Sequence, residues 1–271
     1  GKWSCRSLIV KAHDDLRQDE LAAQLLFLFD DIFKREKLPL PLRPYAVLAT
    51  SGIGGGGGGM LETVTDAVSI DALKKRVAAI KGPGAGTVSL LRCFEFVFGE
   101  RGQRRRDAQA RFLQSMAAYS VFCYALHVKD RHNANILLCR DGAVAHVDFG
   151  IMLNVRYAKD LVELKIKLSS EFVQVIGQDM TEFERLCVEG FLALRKHSAL
   201  LLSLLHTSTL AGASGLPCLE GDAVEQVQRR LVLDRSEGEA RQHMMAQLAS
   251  ARENMRTDIL DLIHDFTHSG V

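Results

Sequence analysis

The sequence has almost no excess charge, no closely paired cysteines and no long apolar run. Thirty-four basic residues face thirty-three acidic ones, a net charge of +1 over 271 residues. Bulk charge therefore gives no reason to expect nucleic acid as a partner, and any anion site has to be local. The longest apolar stretches, such as Ala199 to Leu205, fall far short of the roughly 18 residues that a bilayer-spanning helix needs. No N-terminal signal peptide is visible. The six cysteines (Cys5, Cys93, Cys123, Cys139, Cys187, Cys218) include no C-x-x-C pair and fall in segments that read as strands or helices. They are expected to be reduced thiols of a cytosolic protein, not a disulfide frame or a zinc site. What is present is ordinary globular material, 47% hydrophobic and 25% charged. That is enough for one large domain or two lobes around a real core, and it excludes disorder as the main state.

Ser7 to Lys11 is a short β-favouring run, and His13-Asp14-Asp15 after it supplies turn and cap chemistry. From Leu16 to about Lys37, Leu21, Leu25, Leu28, Ile32 and Phe33 recur at three and four, the spacing of one buried helix face. Pro39, Pro41 and Pro44 stop that helix. Strands are expected at 45–50 and 60–64. Between them Gly52-Ile53-Gly54 leads into an unbroken glycine tract ending at Gly59, expected as a mobile hairpin tip rather than a phosphate cradle. Residues 81–87 read as a surface loop around Gly82-Pro83-Gly84. A central helix follows at 107–128, with strands at 136–139 and 143–147 joined through Asp141-Gly142. Helices are expected at 170–176, 180–206, 223–233, 237–251 and 254–266. The coarse picture is a small strand-rich lobe followed by a large helical one.

The chemistry concentrates in Asp130-Arg131-His132-Asn133-Ala134-Asn135 and, after a hairpin, His146-Val147-Asp148-Phe149-Gly150. Asp130 and Asn135 are five apart, the Asp-to-Asn spacing of a kinase catalytic loop, although here the histidine follows the aspartate. Phosphoryl transfer needs a carboxylate and an amide to hold Mg²⁺ on nucleotide phosphates, and a group to take the nucleophile's proton. A hairpin between the loop and Asp148 brings both metal ligands to one edge.

These segments, with Val10-Lys11 and Asp14-Asp15-Leu16-Arg17-Gln18-Asp19, resemble the phosphoinositide 3-kinase and 4-kinase superfamily, which shares a bilobal fold with protein kinases. Val128-Lys129 resembles phosphatidylinositol 4-kinases, where 3-kinases tend to carry glycine. Ala67 to Ile70 with Lys74-Lys75, Lys167 to Phe172, Arg195-Lys196-His197 and Leu216-Pro217-Cys218 are each similar to the type III beta form. The resemblance runs from Trp3 to the last helix. Two features depart from it: His13 stands where glycine is usual, and the glycine tract separates strands that a short turn normally joins.

The resemblance implies an α+β, bilobal protein-kinase-like fold, with residues 1–64 as the N-lobe to the hinge and 65–271 as the C-lobe. The catalytic loop falls at 129–136 and the activation loop at 148–171. Trp3 matches a position after the phosphate-covering loop, so the N-lobe is expected to be truncated, lacking its first strands, and the chain to be part of a larger parent. For ATP, the resemblance assigns Lys11 to the phosphates and Asp19 and Tyr45 to the inner pocket. The Glu62 carbonyl and Val64 amide fall at the adenine edge, with Leu137 and Val147 beneath the ring. Asn135 and Asp148 become ligands of Mg²⁺ (or Mn²⁺), oxygen donors suited to that ion. His132 or Asp130 becomes the base, with Arg131 as a structural brace. Arg156, Lys159, Lys165 and Lys167, diluted by Asp160 and Glu163, form a weakly basic headgroup loop that fits unphosphorylated phosphatidylinositol. Arg104-Arg105-Arg106 reads as a solvated loop in preference to a lipid contact.

The activity implied is transfer of the ATP γ-phosphate to the 4-hydroxyl of phosphatidylinositol. Its partners are ATP and phosphatidylinositol in membranes, by peripheral contact and without nucleic acid, on a cytoplasmic endomembrane face such as the Golgi. An atypical serine/threonine protein kinase of the same superfamily and a non-catalytic pseudokinase scaffold remain the alternatives.

Overall fold

The computed structural model describes residues 7–50, 57–82, 87–154, 166–210 and 215–268, with side chains to residue 254. The expectations that rest on Cys5, on residues 51–56 of the glycine segment and on Arg156, Lys159 and Lys165 lie outside the described residues.

The first lobe is a three-stranded antiparallel sheet with one helix. Strand β1 (Leu8–Ala12) and strand β2 (Val47–Ala49) flank a central β3 (Gly58–Glu62). In register, Lys11 faces Gly59 on one side of β3 and Ala49 faces it on the other. Strand β3 thus begins inside the glycine tract, which corrects the reading of Gly58 and Gly59 as part of a hairpin tip. Composition alone predicts a floppy segment, but close neighbours fix these residues as a strand. Helix α1 (Arg17–Arg35) buries Leu21, Leu25, Leu26, Phe29, Ile32 and Phe33, as its period of three and four requires.

The second lobe holds another antiparallel sheet, formed by β4 (Ala67–Ser69), β5 (Ile136–Cys139) and β6 (Val144–His146). The β5–β6 turn needs Gly142: its φ is +97°, and a Cβ there would lie 2.5 Å from the Ala108 Cα. Helices α2 (Ile70–Lys81) and α3 (Leu90–Phe98) were not expected. Each starts at a serine whose Oγ accepts a backbone N–H, Ser69 from Ala72 and Ser89 from Arg92. Helix α4 (Gln103–Leu126) is buried on almost every side from Phe112 onward. It therefore forms the axis of this lobe and starts four residues before the expected Asp107. Arg104 to Arg106 belong to its first turn and not to a loop, with Arg104 and Arg105 over the rings of Phe98 and Phe94 at 5.8 and 4.9 Å.

The remaining helices are α5 (Ser170–Ile176), α6 (Met180–Lys196), α7 (Ser198–Leu210), α8 (Ala223–Leu231) and α9 (Glu237–His268). The single helix expected over 180–206 breaks at His197, whose Nε2 is 2.7 Å from Glu36 Oε1. The two helices expected at 237–251 and 254–266 are one. The fold is α+β and bilobal. One continuous core joins the lobes, with Phe33, Phe29, Phe122 and Phe149 in successive edge contacts from α1 through α4 to the Asp-Phe-Gly turn. Among the described residues no helix is long and apolar enough to cross a membrane.

Candidate active site

A cleft of about 580 Å³ opens between the two sheets. Its lining includes Lys11 from β1, Asp19 from α1, Tyr45 before β2, Glu62 and Val64 after β3, Leu137 from β5, and Val147 and Asp148 after β6. All seven residues assigned to ATP from the sequence thus share one wall with one of the two expected metal ligands. Ile9, Asp14, Asp15, Gln18, Leu61, Thr63 and Gly150 also line it and were missed. Strand alternation was the available signal for Ile9, which lies two residues before Lys11 on the same face of β1.

The catalytic loop is held by its own arginine. Arg131 is 4% exposed, and its guanidinium donates to the carbonyls of Lys129 (2.9 Å), Val147 (2.8 Å) and Asp148. It also lies over the Phe149 ring at 5.2 Å. Bonds from a charged donor to several carbonyls fix loop and turn as one unit, so Arg131 is the brace the sequence suggested. Asp130 and Asp148 both adopt left-handed backbone, with φ of 57° and 60°. That conformation is costly for a non-glycine residue and persists only where the surroundings impose it.

Asn135 is 7% exposed, and its Nδ2 donates to the Asp130 carbonyl at 3.1 Å. Among the described residues no group of three or more His, Cys, Asp or Glu side chains is placed to hold a metal ion. One amide oxygen and one carboxylate remain, the sparse set with which Mg²⁺ binds when water and phosphate complete its shell. As oxygen donors, Asn135 and Asp148 fit Mg²⁺.

His132 and Asp130 are both exposed, with His132 Nε2 3.7 Å from Asp130 Oδ2. The Ala134 N–H donates to His132 Nδ1 at 3.2 Å, so the neutral ring carries its proton on Nε2, facing the carboxylate. Lys11 Nζ donates to Asp14 Oδ2 at 2.8 Å, and that bond raises the lysine pKa. Asp19 is pushed above the usual carboxylate range by burial; Lys11 opposes the shift, and Asp148 and Asp14 add to it. Tyr45 is likewise pushed up by burial, with Asp19 adding to the shift. The cleft thus gathers several carboxylates around one lysine, an arrangement that suits an anion only when cations accompany it. Lys167 is exposed and lies beside Arg131 and His146 behind the loop, outside the cleft lining.

The small sheet with its lysine, the braced acid-and-amide loop and the Asp-Phe-Gly turn, meeting at one interlobe cleft, define a kinase-like catalytic core. Residues 6–79 and 94–220 match the sequence family described as phosphatidylinositol 3- and 4-kinase, and the chain belongs to that family. A phosphatidylinositol 4-kinase of Dictyostelium discoideum is 38% identical over 245 residues, covering 88% of this chain and 20% of that protein. Phosphatidylinositol 4-kinase beta 2 of Arabidopsis thaliana is 35% identical over 266 residues, 94% of this chain and 23% of its own length. Phosphatidylinositol 4-kinase beta of Xenopus laevis is 37% identical over 230 residues, 82% and 26% respectively. The chain spans about a fifth to a quarter of the length of these curated relatives.

Proposed function

We propose that this chain is the catalytic core of a phosphatidylinositol 4-kinase of the beta kind, transferring the γ-phosphate of ATP to the 4-hydroxyl of phosphatidylinositol. The observation that supports it best is the single cleft lined by Lys11, Asp19, Tyr45, Glu62, Val64, Leu137, Val147 and Asp148. In this reading Glu62 and Val64 offer backbone groups to the adenine edge, above the apolar Leu137 and Val147. Lys11 leaves Asp14 for the phosphates, while Asp19 and Tyr45 close the inner end. Asn135 Oδ1 and the Asp148 carboxylate hold Mg²⁺ or Mn²⁺, which supplies charge neutralisation on the phosphates when bound. His132 or Asp130 takes the lipid hydroxyl's proton, and Arg131 keeps loop and turn in register. Residues 1–64 serve as the small lobe up to its hinge and 65–271 as the large lobe. The weakly basic stretch with Arg156, Lys159, Lys165 and Lys167 receives an unphosphorylated inositol headgroup at a cytosolic endomembrane surface.

The test incubates the full-length protein with labelled Mg-ATP and vesicles of phosphatidylinositol, its 4-phosphate or its 4,5-bisphosphate, and locates the label on the ring. Label at the 4-position of phosphatidylinositol, absent with Asp148→Asn, is the expected result. Label at the 3-position contradicts the assignment within the family. Label on peptide in preference to lipid favours the protein-kinase alternative, and none above the Asp148→Asn blank favours the pseudokinase.

A further inference from the structure

The glycine tract has no part in the proposed chemistry, yet Gly58 lies close against the Lys11 end of β1 and Gly57 against the turn that follows it. We propose that Gly57 and Gly58, seated by Gly59 against Leu48 and Leu16, form a clamp that positions the Lys11 end of β1 and the His13–Asp15 turn after it for nucleotide, a role that rests on the ATP reading above. The Asp14 N–H donates to the Gly57 carbonyl at 3.0 Å, and the Thr50 N–H donates to the Gly58 carbonyl at 3.0 Å. The tract is therefore tied to the lysine turn on one side and to the end of β2 on the other.

Space, not backbone freedom, demands glycine here, because none of the three has a left-handed φ. A Cβ on Gly57 would lie 2.8 Å from the Asp14 carbonyl oxygen and 3.1 Å from the Asp15 nitrogen. One on Gly58 would lie 2.9 Å from the Lys11 carbonyl oxygen. One on Gly59 would lie 2.3 Å from the Leu48 carbonyl oxygen and 2.7 Å from Leu16 Cδ1. Each of these contacts forces backbone or core to shift. The turn itself needs an external hold, because His13 sits within it at φ 59° without being glycine. A shift at Gly58 moves the Lys11 backbone itself, and a shift at Gly57 moves Asp14, whose carboxylate holds the Lys11 ammonium at 2.8 Å before the phosphates take it. The three glycines touch no reacting group in this account, so they are positioning residues.

The test compares Gly57→Ala with Gly238→Ala, a helical glycine around which a Cβ would meet nothing within 4 Å. In the full-length protein, Gly57→Ala is expected to raise both the Kd for Mg-ATP and the KM for ATP roughly tenfold, as small displacements of binding groups do. The kcat and the KM for phosphatidylinositol stay within about twofold, the Asp14 amide exchanges faster with solvent, and Gly238→Ala changes none of these. Gly58→Ala, whose contacts beyond the one at 2.9 Å lie at 3.7 and 3.8 Å, serves if Gly57→Ala does not fold, and its effect is expected in the same direction and smaller. Wild-type Mg-ATP affinity and wild-type protection of the Asp14 amide in these variants would overturn the clamp. If the wild type itself binds no nucleotide, the ATP reading falls, and exchange at the Asp14 amide still decides whether the glycines hold the turn.

Discussion

Two three-stranded antiparallel sheets face the same cleft, and they are built in opposite ways. Every residue of β1 is exposed, with Leu8, Ile9 and Val10 among the large apolar side chains open to solvent. Every residue of β6 is buried, and so are three of the four in β5. The buried sheet carries Asn135 and Asp148 at its ends and is locked by Arg131; the exposed sheet carries Lys11 near the end of β1, paired with Gly59. In the proposed reading, chemistry that depends on fixed ligands falls on the part with the most buried contact, and nucleotide grip on the part that opens at least cost.

The sharpest way to break this contrast is at the metal edge. Asp148→Asn keeps a side chain that tolerates the left-handed backbone, and it is expected to lower kcat on the order of 10³-fold with little change in unfolding temperature. Loss of fold together with activity would show that Asp148 is structural. Next in size is Arg131→Met, which leaves the carbonyls of Lys129, Val147 and Asp148 without their donor. It is expected to cost about 3 kcal/mol in urea unfolding. A smaller, paired test sets Leu138→Ala in the buried sheet, at about 2–3 kcal/mol, against Val10→Ala in the exposed sheet, within about 0.5 kcal/mol. Equal losses would erase the distinction.

The smallest effect concerns Asp19. Its carboxyl is raised above the ordinary value near 3.8, chiefly by burial. A raised folded-state pKa gives a favourable contribution that is present below the unfolded value and lost as pH rises through the folded one. Above the unfolded value the partial burial of Asp19 is therefore a cost. Asp19→Asn is expected to be more stable than wild type at pH 7, with the advantage shrinking as pH falls toward 4, and urea unfolding at both pH values measures it.

Much of this plan was legible in the residues, and the gaps have physical causes. Helix α1 and the β5–β6 hairpin follow from an apolar period of three and four and from Asp141-Gly142. Of the cleft's side chains, Asp148 was named from its motif, and Lys11, Asp19, Tyr45, Glu62, Val64, Leu137 and Val147 from the family resemblance; Asp130, His132 and Asn135, named from their spacing, are not among its lining residues. Helices α2 and α3 were missed although Ser69 and Ser89 announce them as caps, because flanking glycine-rich stretches drew attention to loops. The break at His197 was invisible because it depends on Glu36, far away in sequence. Gly58 and Gly59 were misread because composition reports the freedom of an isolated chain, whereas Leu48, Leu16 and Lys11 remove that freedom in the fold.

The claim that one nucleotide bridges an exposed sheet and a buried one is tested most directly by amide hydrogen exchange of the full-length protein with and without Mg-ATP. The account predicts new protection in β1, β3 and residues 62–64, and little change in β5 and β6, which exchange slowly from the start. Protection that appears elsewhere, or β5 and β6 exchanging as fast as β1 in the free protein, would contradict it.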